Sequence, residues 1–239
     1  MPPPDLQDRP RRFYAAAEAG PVEQGWGVLL DGRAARTPSG PRLVVPTKAL
    51  AALLAEEWAA QEQTIDMAAM AATRLAFAAA DRVARAREET AAEVGRYAGA
   101  DLLCYFADGP DALIARQTQR WGSLLDWARE ALNLEFHRTV GIIHRPQPPQ
   151  TIARVEALAL ALDDFALAGL AFAAGLFGSA ILALALQRDQ LDGAAAFDLS
   201  RLDEEFQEEK WGVDAEAAAR RGHLAAEVRM LDRWFQALR

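Results

Sequence analysis

The side chains able to do chemistry fall into few groups. The densest is LSRLDEEFQEEKWG, Leu199 to Gly212, which holds Asp203, Glu204, Glu205 and Glu208 and ends beside Trp211. Paired carboxylates can act as general acid and base. An acidic surface edged by an aromatic ring can equally dock a protein partner. Leu199, Leu202 and Phe206 recur at helical spacing, which predicts Glu204, Glu205 and Glu208 on the opposite face. Asp203 falls at the edge of the stripe, about 40° from Leu199 at 3.6 residues per turn. There it would either join Glu204 and Glu205 in an acidic docking patch or hold the helix against its neighbours through a salt bridge. A second carboxylate, Glu57, precedes Trp58 and lies within an apolar stripe, about 20° from Leu50. A charge on an apolar face is unusual. It marks either a border residue that pairs with a basic group or a carboxylate held at a partner surface.

The remaining candidates carry less. His137, His144 and His223 are far apart, and nothing beside them completes a metal site. Cys104, the only cysteine, sits in the apolar run Asp101-Leu-Leu-Cys-Tyr-Phe106. It reads as a small buried hydrophobe with a raised thiol pKa. There is no Gly-rich phosphate loop, no G-x-S-x-G turn and no H-E-x-x-H. Gly25-x-Gly27 lacks the third glycine and the following helix of a dinucleotide fingerprint. No catalytic residue, cofactor or metal ligand is assigned. The one enzymatic alternative left is an unrecognised activity using paired acids around Asp203 or Glu57.

The elements that position these residues differ along the chain. Arg11 to Glu18 reads as a strand. Gly25 to Leu30 is followed by the turn dipeptide Asp31-Gly32, with Arg33 to Thr37 returning as its partner. Pro38-Ser-Gly-Pro41 turns again into Arg42 to Val45. This β-meander leads into a helix capped by Thr47, with Leu50, Leu53, Leu54 and Trp58 as its apolar stripe. From Met70 the periodicity predicts helices over 70–85, 87–99, 111–132, 150–164, 166–187, 192–210 and 214–238. The 192–210 pattern runs through Ser200-x-x-Asp203, which mimics a capping box. Leu134 to Ile143 is β-like and would pair with the N-terminal sheet or form a short edge. The fold class is α+β: a flexible arm over 1–10, an N-terminal α+β domain over 11–69 and a larger helical domain over 70–239.

Composition narrows the function. The chain has 239 residues, a net charge of −8 and 53 alanines, which favours helices. An acidic chain lacks the basic footprint of a nucleic-acid binder. It also lacks the polybasic attraction selected by anionic membranes. Phe165 to Leu186 is 22 residues without a charge, long enough to span a bilayer. It has no flanking basic cluster and no Trp or Tyr belt. It is expected to be one buried helix of a bundle, with Gly175-x-x-x-Ser179 allowing close approach. The start has no apolar segment of a secretory signal and no Arg/Ser-rich amphipathic leader.

The ordered motifs resemble one family. They are Arg12-Phe13-Tyr14, Leu30-Asp-Gly-Arg33, Arg36-Thr-Pro38, Val45-Pro-Thr47, Glu57-Trp58-x-x-Gln61, Asp81-Arg-Val83 and Asp101-Leu-Leu-Cys-Tyr105. Further on come Leu162-Asp-Asp-Phe165, Gly178-Ser179, Asp203-Glu-Glu-Phe-Gln207 and Trp211-Gly212. From about Arg11 to Leu238 the chain resembles the ATP12 family, assembly chaperones of the F1 sector of ATP synthase. The resemblance implies an α+β region followed by an orthogonal helical bundle. It implies binding of the unassembled F1 α subunit until the β subunit replaces it, with no cofactor. It places partner contacts at Trp58 and at Asp203, Glu204 and Glu205, to which the reading of the residues adds Glu57 and Trp211. A monomer without stable membrane insertion is expected. The expected location is the bacterial cytoplasm, the mitochondrial matrix being that of eukaryotic relatives.

Overall fold

The computed structural model describes residues 9–212 and 215–239. Most of the arm expected over 1–10, and the start of the last helix at 214, lie outside those residues. The chain divides into two compact units, one running to Arg85 and taking in Arg233–Arg239, the other spanning Ala86–Asp232.

The first unit begins with a three-stranded antiparallel sheet in the order β1 (Ala17–Val22), β2 (Gly25–Leu30), β3 (Arg33–Ala34). Asp31 and Gly32 both take positive φ, 47° and 78°, as the expected two-residue hairpin requires. The first strand starts at Ala17 rather than Arg11. The Asp31 carboxylate accepts the Ala15 and Ala16 N–H groups, and the Arg12 guanidinium donates to the Tyr14, Ala15 and Gln61 carbonyls. Side chains therefore satisfy the backbone that a strand partner would have satisfied. The returning segments survive as single bridges, Arg36 to Arg42 and Trp26 to Val45.

Thr47 caps α1 (Lys48–Ala59), its Oγ1 accepting the Leu50 N–H at 3.0 Å. Leu50, Leu53, Leu54 and Trp58 are buried, as their spacing predicts. The helix expected over 70–85 is α2 (Ala71–Asp81) followed by a 3-10 turn, Val83–Arg85. It belongs to the first compact unit, which runs on to Arg85. The Asp81 carboxylate supplies the reason. It accepts the Thr37 hydroxyl at 2.7 Å and the Ser39 N–H at 3.1 Å, tying α2 to the sheet's turn.

The second unit holds α3 (Arg87–Gly99), α4 (Asp111–Leu132), α5 (Pro149–Leu160), α6 (Asp164–Phe177), α7 (Ala180–Gln187), α8 (Gly193–Ser200) and α9 (Leu202–Trp211). The last helix is α10 (Ala215–Leu238). Two helices expected to be continuous are broken. The apolar run splits into α6 and α7 because Gly178 turns left-handed at φ 63° and Ser179 caps the next helix. Both pieces are buried, but Gly175 itself is exposed. No helix among the described residues is long and apolar enough to cross a membrane. Fully buried Asp101 fastens the break: it accepts the Ser179 hydroxyl at 2.7 Å and the Ile181 and Leu103 N–H groups at 3.0 and 3.1 Å. Burial pushes its carboxyl up to about 6, against the pull of those donors. The β-like stretch contributes only β5 (Thr139–Val140). It pairs in parallel with β4 (Tyr105–Phe106) and so forms the short edge.

Candidate functional site

The second break, at Arg201, starts α9 on the acidic run. Ser200 does not cap it; its hydroxyl donates back to the Phe197 carbonyl at 2.7 Å. Leu199, Leu202 and Phe206 are buried, as expected. Asp203 is half-buried and makes no salt bridge among the described residues. Its Oδ1 accepts from the Gln117 amide at 2.7 Å. Gln117 is fully buried in α4, and its own Oε1 accepts the Ala107 N–H at 2.8 Å. The path Asp203–Gln117–Ala107 thus ties the first turn of α9 to the backbone just after β4. Burial raises the Asp203 carboxyl above the usual range, the Gln117 bond opposes this, and the Glu204 charge adds to it.

The rest of the run is less acidic in effect than its composition. Glu205 is half-buried, and burial first, then the Asp198 charge, raise its carboxyl. Glu208 is also half-buried and pairs with Arg201 at 3.3 Å and with Arg221. Glu209 takes both guanidinium nitrogens of Arg116, at 2.7 and 2.9 Å. Of the three residues expected on the outer face, only Glu204 is fully exposed. Arg201 and Arg221 draw Glu208 in. Trp211 does stand out, at 79% exposure.

In the first unit Glu57 is committed to the fold. Its carboxylate accepts the Ala72 and Thr73 N–H groups at 2.8 and 2.7 Å. Met70, the cap residue of α2, offers no side-chain bond, so Glu57 caps that helix from a distance. This explains a carboxylate within an apolar stripe. Trp58 is 7% exposed and packs edge-on against Tyr14, whose hydroxyl donates to the Trp58 carbonyl at 2.7 Å. Its indole N–H is buried without an acceptor among the described residues. Trp58 therefore serves the interior, bordering a cleft with Phe13, Leu30, Arg33 and Arg36.

Neither carboxylate proposed for acid–base work is held free for it, since Glu57 and Asp203 both accept bonds from the protein's own donors. Cys104 is buried and its thiol pKa raised by burial. The histidines meet local partners: the His137 ring contacts the Pro146 carbonyl, His144 Nδ1 lies 2.9 Å from the Tyr105 hydroxyl, and His223 is 3.7 Å from Glu227. No group among the described residues could hold a metal ion. Sequence reasoning missed three features. Gln117 gave no signal, because its partners lie far away along the chain. Asp101 was visible only as part of a motif. Val140, Ile142 and Ile143, read as strand, are exposed.

The comparisons with known proteins agree with this geometry. Residues 11–129 match the model of the ATP12 chaperone protein family. The structure of ATP12 from Paracoccus denitrificans is 43% identical over 96% of this chain and 99% of that one, with a TM-score of 0.89. An aspartate-to-lysine variant of the Paracoccus protein matches at 42% identity over 96% of this chain and 98% of that one, again with a TM-score of 0.89. A candidate chaperone from Agrobacterium tumefaciens is 37% identical over all of this chain and 92% of its own, with a TM-score of 0.90. Near-complete coverage at this identity means that the chain belongs to the ATP12 chaperone family.

Proposed function

We propose that this protein is an assembly chaperone of the F1 sector of ATP synthase. It binds the unassembled α subunit and releases it when the β subunit takes its place. The observation that carries this reading is the match to ATP12 over nearly the whole of both chains. The physics is consistent with it. An unassembled subunit exposes apolar interface surface that aggregates, and covering it needs neither cofactor nor bond chemistry. Release by a competing subunit needs only that the chaperone bind less tightly. On this reading the protein is not an enzyme and works as a monomer in the bacterial cytoplasm.

On this reading Glu204 and Trp211, both exposed, touch the client. Asp203 holds the start of α9 through Gln117, and Glu57 and Trp58 hold the first unit in shape. The test is co-purification with the F1 α subunit and, in parallel, with β, together with suppression of α-subunit aggregation measured by light scattering. Selective retention of α is the expected result. Equal retention of both subunits, or of neither, would overturn the assignment.

A further inference from the structure

The loop that follows β5 exposes apolar side chains that the fold could have buried. Val140 is 64% exposed, Ile142 97% and Ile143 79%. Single exposed apolar residues are ordinary, but three within four positions form a patch. The loop is also held in place. Thr139 and Val140 pair with Tyr105 and Phe106, the Gly141 N–H donates to the Phe106 carbonyl at 2.8 Å, and the Tyr105 hydroxyl meets His144. Gly141 turns the chain at φ 78°, a conformation that side chains disfavour. The isoleucines are thus presented outward by their backbone.

The charge carried by the loop segment itself is of one sign, with Asp108 the carboxylate that lines the adjoining cleft. Residues 136–155 contain three arginines and no carboxylate, in a chain of net charge −8. Arg138 and Arg145 flank the tip and line a cleft with Phe106, Ile114 and Val140. Arg138 reaches Asp126 only at 3.4 Å, and Arg145 forms no ion pair among the described residues.

We propose that the Val140–Ile143 loop, with its arginine rim, is a client-contact surface that inserts into an apolar, carboxylate-rimmed face of a partner protein. The inference rests on the chaperone reading above and adds where the client is held. It gives the path through Asp203 and Gln117 a purpose as well. Ala107, which receives that path, follows directly on the strand that holds the loop, so Asp203 is a positioning residue for the patch.

The test uses the full chain and purified F1 α subunit. Ile142→Ser combined with Ile143→Ser removes only exposed side chains, so circular dichroism and melting should match the unsubstituted protein. Affinity for α should fall about ten-fold or more, as for a central contact. Arg145→Glu should weaken binding too, and the residual binding should lose part of its salt dependence. Ile142→Trp supplies an independent signal, its emission shifting to the blue when α is added. A folded double variant with undiminished affinity, or a Trp at 142 that stays solvent-exposed in the complex, would overturn the inference while leaving the chaperone reading intact. Failure of the unsubstituted protein to bind α would instead overturn that reading.

Discussion

Replacing Asp203 with lysine removes the only acceptor of the Gln117 amide among the described residues. Gln117 is fully buried, so its N–H loses a charge-assisted bond. Leaving such a donor unsatisfied costs about 1–3 kcal/mol, and bonds to charged groups lie in the upper part of that range. The incoming ammonium is itself a donor and cannot substitute. We expect a loss of about 2–3 kcal/mol, or roughly 4–12 °C in melting temperature for a chain of this size. Asp203→Asn keeps a carbonyl for Gln117 and should cost about 1 kcal/mol. Glu204→Lys, at an exposed position, should stay within about 0.5 kcal/mol. Urea unfolding gives the ranking. Amide hydrogen exchange gives the mechanism, because Ala107 should lose protection in Asp203→Lys and keep it in Glu204→Lys. If Asp203→Lys proves as stable as the parent with Ala107 still protected, the path through Gln117 carries no energy and the reasoning fails.

Other expectations follow from the same structure. Glu57→Ala strips two acceptors from the start of α2 and should destabilise the first unit by about 1–3 kcal/mol, with Glu57→Gln recovering part; exchange of the Ala72 and Thr73 amides checks it. Asp101 has a folded pKa of about 6, above its ordinary value of 3.8, so its protonation adds stability that is present at low pH and lost as pH rises through 6. The parent should therefore gain about 1 kcal/mol relative to Asp101→Asn between pH 7 and pH 5, and urea titrations showing no such gain would mean that the three donors outweigh burial. Ala174→Leu should overpack the core at about 1–3 kcal/mol, whereas exposed Gly175 should tolerate a larger side chain better; paired melting curves compare them. Trp58→Arg buries an unpaired charge and empties an aromatic site, so lost folding, seen by circular dichroism, should precede any lost binding.

Local chemistry was legible in the sequence where it acts over a few residues. The Asp31-Gly32 hairpin, the Thr47 cap and the apolar stripe ending at Trp58 each depend on neighbours within a turn or two. The breaks at Gly178 and Arg201 were hidden for opposite reasons. An unbroken apolar run masked the glycine and serine that end one helix and cap the next. At Arg201 the hydrophobic spacing of Leu199, Leu202 and Phe206 carries across the interruption, so periodicity alone shows one helix. Long-range hydrogen bonds leave no periodic trace at all. Glu57 looked misplaced because the N–H groups it caps belong to another helix. Asp203 looked ready for a cation because the amide it holds lies on α4, far back in the chain. The acidic character of α9 was overstated by composition, since Arg116 and Arg221 come from elsewhere, and Arg201 from the helix's own cap, to pair with its carboxylates.

The last seven residues belong to the unit built by the first eighty-five. Arg233 meets Glu56 on α1 at 2.5 Å, the Thr47 hydroxyl donates to the Ala237 carbonyl, and Trp234 and Phe235 are buried. A ribosome delivers those residues almost 150 positions after Arg85. At 5–20 residues per second the delay is roughly 7–30 s. The part of the protein made first is therefore completed last, and the nascent chain carries an unfinished apolar face through most of its synthesis. If it guards another chain's exposed surface, as proposed above, it spends its own birth with one.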